Sequence, residues 1–144
     1  MKRRISMLVA AAGLVALAFP TMANAASSPS VRVGPHDNLT NGETVTVRWK
    51  GFHAHAERFI TIYECRPDFD TVGWIACSQL YGDTTRGRRE QRTIQVSTGV
   101  IGLDDGTCGT SATDRDCLIM VRASRLRASG GSIASTPIKF AVPQ

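Results

Sequence analysis

Four cysteines in a chain of 144 residues, set as two short-spaced pairs, constrain this sequence more than any other feature. Cys65 and Cys77 bracket a turn-forming stretch with Pro67, Asp68, Asp70 and Gly73, and Trp74 and Ile75 lead into the second cysteine. Cys108 and Cys117 repeat the arrangement on a smaller scale. Four cysteines allow three pairings, and sequence alone does not choose among them. Local order favours Cys65 with Cys77 and Cys108 with Cys117, because each pair brackets turn residues and closes a hairpin-like ring. Rings this small each remove on the order of 3 kcal/mol of unfolded-state freedom, a large share of a domain stability of about 5–15 kcal/mol. Zinc is the competing use of the cysteines. Eleven residues separate the first pair and eight the second, without the close C-x2–4-C pairs that zinc prefers.

Disulfides persist in oxidising compartments, and the first residues read as the route there. Lys2, Arg3 and Arg4 give a basic start, residues 8–19 an apolar run, and Ala23, Asn24 and Ala25 an A-x-A cleavage site. The run is shorter than the roughly 20 residues of a membrane span, and no later stretch qualifies. The expected organisation is a signal peptide over 1–25, a single domain over 26–144, and export to the extracellular medium. Taking 25 residues from 144 leaves 119, which suits one domain. Removing Lys2, Arg3 and Arg4 takes 17 basic residues to 14 against 12 acidic ones, a net charge of +2 rather than +5. That balance does not describe a polyanion-seeking protein.

The rest of the chain reads as β-structure. Residues 31–33 suit a short first strand. Residues 44–49 alternate strictly, with Val45, Val47 and Trp49 on one side and Thr44, Thr46 and Arg48 on the other, as a half-buried antiparallel strand does. Residues 58–65 are rich in β-branched and aromatic side chains, and 73–77 read as the return limb of the first ring. Residues 91–97 alternate again, with Ile94 and Val96 facing in. Residues 103–107 form a turn around Asp105 and Gly106. Residues 117–121 are apolar on both faces, as in a central strand. Residues 127–132 read as a loop, and 136–142 as a last strand, placed at an edge by Pro137. No segment shows helical periodicity. About seven short strands separated by turns predict an all-β, immunoglobulin-like antiparallel sandwich, without the buried tryptophan between distant cysteines of antibody domains.

Leu39, Thr40, Asn41, Gly42, Val45 and Val47, continuing to Gly51 and Phe52, resemble the opening strand pair of the neocarzinostatin family. The stretch from Cys65 through Gly73, Trp74 and Ile75 to Cys77 is similar to that family's first ring. Thr107, Cys108, Gly109 and Thr110, closing at Cys117, are similar to its second, and Pro137 to Phe140 to its last strand. The likeness covers residues 31–142. These proteins are small secreted bacterial apoproteins that carry enediyne antibiotics. The resemblance implies a monomeric, non-enzymatic sandwich with a cleft beside the first disulfide, holding a reactive chromophore non-covalently until delivery to DNA. Carried over by position, Cys65, Ile75, Cys77 and Tyr81 would line the cleft. Leu118 and Arg122 fall on a strand the family also uses, and Phe69 or Trp74 would stand in for an aromatic of the family's ring. Both rings are longer here than in the chromophore carriers, and Arg48, Lys50, Arg122 and Arg125 put charge on strands mostly uncharged there.

Read from the residues alone, Phe69, Trp74, Ile75 and Tyr81 form either an apolar ligand floor or ordinary packing under a stapled turn. Arg86, Arg88, Arg89 and Arg92 form the densest basic run. They are either phosphate contacts, which would make DNA affinity salt-dependent, or a solvated hairpin rim, favoured because Glu90 dilutes the run and no aromatics interleave it. His53 and His55 would share one side of an extended segment, with His36 elsewhere, but no carboxylate or cysteine completes a metal set. No nucleophile elbow is present, cysteines held in disulfides are not nucleophiles, and Asp104, Asp105, Asp114 and Asp116 lie in turn sequences. No catalytic residue and no essential cofactor is expected. The reading from another class is an extracellular immunoglobulin-like interaction module without a chromophore.

Overall fold

The computed structural model describes residues 28–52, 58–85, 90–125 and 128–141. The leader at 1–25, His53, His55, Arg86, Arg88 and Arg89 lie outside the described residues. Among the described residues nine strands occur in chain order: β1 (Ser30–Gly34), β2 (Thr44–Lys50), β3 (Arg58–Cys65), β4 (Cys77–Thr85), β5 (Gln91–Gln95), β6 (Gly99–Val100), β7 (Thr107–Cys108), β8 (Asp116–Arg125) and β9 (Ala128–Lys139). A three-stranded sheet runs β1-β2-β5, a four-stranded sheet runs β4-β3-β8-β9, and β6 with β7 makes a separate ribbon. All these pairings are antiparallel. The seven strands of the two larger sheets form the expected all-β sandwich.

Side-chain alternation builds the core. Val31, Val33, Val45, Val47, Trp49 and Ile94 come from one sheet, and Ile60, Ile62, Ile119, Val121 and Ile138 from the other; all are buried in one cluster. Burying each such side chain contributes about 1.5–3 kcal/mol. Both disulfides form as local order suggested, Cys65 with Cys77 and Cys108 with Cys117. The β8 strand is central and carries apolar groups on both faces. Ile119 and Val121 enter the main core, while Leu118 and Met120 belong to a second cluster around the first disulfide.

Two readings are corrected. The return limb at 73–77 is helical up to Cys77, where β4 begins: a helical turn, α1 (Phe69–Val72), runs into a 3-10 turn over Gly73–Ala76. The turn after Pro67 starts the coil, since the amides of Thr71 and Val72 both donate to the Asp68 carbonyl. A single helical turn is too short to show periodicity. The strand follows the ring instead, as β4, where Cys77 pairs with Cys65 in register. The second correction concerns the proposed loop at 127–132, which from Ala128 onward is the start of β9. Glycine and serine there suggest a loop, but Gly131 pairs with Ser124. A Cβ on Gly131 would lie 2.4 Å from the Ala123 carbonyl oxygen, so the ladder itself requires a glycine.

Candidate functional site

The four-stranded sheet has an outer face that is not simply solvated. On β3, Ile60, Ile62 and Glu64 point into the sandwich, so Thr61, Tyr63 and Cys65 point out; on β8, Leu118, Met120 and Arg122 do the same. Thr61, Cys65 and Met120 are nonetheless buried. Cys65, Cys77 and Met120 form an apolar patch with Tyr63, Phe69 and Leu118 packed around it. Phe69 from α1 and Trp74 from the 3-10 turn come over this face. The Trp74 ring lies 5.0 Å from Tyr63 and 5.2 Å from Phe69, tilted and edge-on, in the geometry aromatic pairs prefer. The Arg122 guanidinium carbon sits 5.1 Å from the Trp74 centroid, close enough for a cation–π contact. Trp74 still shows 40% of its surface to solvent.

Six of the eight sequence-derived site residues therefore meet on this face: Cys65, Phe69, Trp74, Cys77, Leu118 and Arg122. Tyr63 and Met120 join them and were missed; period-two alternation from Cys65 and from Leu118 already pointed to both. Ile75 is exposed at the rim. Tyr81 is elsewhere. A register shift after Ile62 sets Tyr81 opposite Ile62 and against the main core. There the Arg92 guanidinium stacks on its ring at 4.5 Å, and its hydroxyl donates to Asp83 at 2.7 Å. Arg92 of the basic run is thus held against the sandwich.

A clamp fixes the ring that carries the aromatics. The Arg66 side chain is buried, and its guanidinium donates from Nε and Nη2 to both oxygens of Asp68, at 3.0 Å each. It also donates to both oxygens of Asp104, in the loop between β6 and β7. These bonds hold the Asp104 carboxyl below the usual carboxylate range. The Leu103 amide donates to the Ile75 carbonyl at 2.8 Å, and the Gly102 amide to the Ser78 hydroxyl at 3.0 Å. Asp104 stands in the turn that the sequence predicts, but its carboxylate serves the ring.

A polar recess of about 420 Å³ lies on another side of the ring, lined by Pro67, residues 112–116 and Lys139. Its Asp114 accepts from Thr107 and Thr110, and Arg115 Nε donates to the Phe140 carbonyl, so these groups are engaged in local structure. His36 pairs with Asp37 at 3.0 Å on the surface. Among the described residues no helix is long and apolar enough to cross a membrane.

No family model and no curated protein matches this chain. Among solved structures, it is similar to macromomycin, with 20% identity and a TM-score of 0.46 over 79% of this chain and 100% of that one. It is also similar to apokedarcidin, known from its NMR assignments and solution conformation, with 24% identity and a TM-score of 0.39 over 75% of this chain and 98% of that one.

Proposed function

We propose that this chain is a secreted, non-enzymatic carrier that holds a small apolar or aromatic molecule against the outer face of the four-stranded sheet, beside Cys65 and Cys77. The observation that carries the reading is the half-open aromatic cluster in which Phe69 and Trp74, mounted on a stapled and clamped ring, meet Tyr63 of β3 above an apolar floor. Ligand sites are mostly apolar with few polar groups, and burial there keeps water and nucleophiles from a labile molecule. An enediyne-type chromophore fits this chemistry and is what the sequence resemblance implies. DNA is then the target of the carried molecule, and antibiotic activity belongs to the loaded protein.

The test is native mass spectrometry with near-ultraviolet absorbance on the protein purified from its host's medium. The expected result is extra mass lost on mild organic extraction, with absorbance beyond that of tryptophan and tyrosine. A bare mass equal to residues 26–144 less four hydrogens would instead favour the interaction module. One observation supports that second reading: Ile75 and Leu103, joined through their backbones, both leave apolar side chains exposed, Leu103 by 86%.

A further inference from the structure

Resting on the carrier reading, we infer that this face selects a flat aromatic molecule bearing an acidic group, and that Arg122 is the residue that recognises the acid. The outer surface of the sheet is apolar or neutral at Tyr63, Cys65, Leu118 and Met120, and Arg122 is the charged group among them. It is half-buried, flanked in register by Thr61 on β3 and Ile133 on β9. Among the described residues no carboxylate pairs with it. The contrast with buried Arg66 is direct: that guanidinium is saturated by Asp68 and Asp104.

A cation that only needed solvation would extend away from an aromatic cluster. This one lies over Trp74 instead, and the stacking orients its plane while leaving N–H donors at the edge. Arginine presents donors in a fork that matches a carboxylate bidentately. A ring system laid on the exposed part of Trp74, beside half-buried Tyr63 and Leu118, would bring a ring carboxylate to that fork. The aromatic faces supply affinity for any flat molecule, and Arg122 supplies the choice among them.

The experiment is calorimetry on the exported, disulfide-intact protein with anthracene-2-carboxylate and its neutral carboxamide as probes. The carboxylate is expected to bind about tenfold tighter, the lower end for a charge-assisted bond at a half-exposed site. Arg122→Gln should abolish that preference, so that the two probes bind with equal affinity. Arg122→Lys should keep part of it, and Arg48→Gln, on the other sheet, should change nothing. Equal affinity of the parent protein for both probes, or a preference that survives Arg122→Gln, would overturn the role of Arg122 and leave the carrier reading standing. Binding of neither probe, with the near-ultraviolet circular dichroism of the folded protein intact, would overturn the site itself.

Discussion

Glu64 is a carboxylate on the core side of β3, fully buried beside Ile60 and Ile62. Both of its oxygens accept from the Ser97 amide, at 3.3 and 3.1 Å, and the Ser97 hydroxyl adds a third bond. Desolvation outweighs these bonds and pushes its pKa up to about 7. Because the folded state holds this proton more tightly than the unfolded chain, stability falls as pH rises from the ordinary glutamate value near 4.3 to about 7. The loss is on the order of 3 kcal/mol. Glu64→Gln keeps an acceptor for Ser97 without the charge, so its unfolding free energy should exceed the parent's by about 2–3 kcal/mol at pH 8 and match it near pH 4. Urea melts across that range check both the size and the sign. Arg66 behaves oppositely. Its bonds lower the Asp104 pKa, so their stabilisation is present above the ordinary aspartate value of about 3.9 and is lost as pH falls below it. Arg66→Met should lower Tm at pH 7 by about 5–10 °C, and the gap to the parent should narrow in acid.

The first ring acts as one element because three independent ties hold it: the disulfide, the Arg66 fork and the Ile75–Leu103 backbone bond. Gly102 makes the last tie possible. Its φ is +96°, and an added Cβ would lie 2.0 Å from the Ile75 carbonyl oxygen. Gly102→Ala should therefore push the loop off the ring and lower Tm. It should also weaken the near-ultraviolet circular dichroism of Trp74, whereas a substitution at exposed Leu103 should leave both unchanged. Strands and their inward faces were legible in the sequence because period-two alternation in residues 44–49 and 91–97 is a local property. The ring's interior was not, since Asp68 starts a helical turn with its backbone while spending its carboxylate on Arg66. The Arg66–Asp104 contact spans 38 positions, which no local pattern encodes. Tyr81 was misplaced for a related reason. One extra residue in β4 turns its side chain to the opposite face, and nothing between Cys77 and Tyr81 announces a bulge. Leu118 and Arg122, which did assemble, lie on a stretch of β8 whose alternation is unbroken.

At the scale of the whole molecule, closure of the sandwich depends on a residue near its C-terminal end. Phe140 is fully buried and forms a parallel bridge with Leu39, which precedes β2. The Leu39 amide donates to the Lys139 carbonyl at 3.0 Å, and the Ala141 amide to the Leu39 carbonyl at 2.8 Å, so two distant segments lie side by side. The Phe140 amide donates to Arg115 inside the second ring. Its aromatic ring fills the space over Gly109, where a Cβ would come within 2.6 Å of it. These backbone bonds and the packed Phe140 ring together join the opening segment, the end of the last strand and the second disulfide ring into a single core. Phe140→Ala should cost about 3–5 kcal/mol, the range for truncating a buried aromatic, in chemical unfolding of the exported protein. The first ring and its aromatics lie on the outer face of β3 and β8, across the sheet from this core. A milder change, Phe140→Leu, should then lower global stability while leaving the affinity for a flat aromatic probe within about twofold of the parent's, since substitutions at distant sites usually couple by less than about 0.5 kcal/mol. A large loss of affinity in that variant would mean that the carrier face depends on how the sandwich is closed.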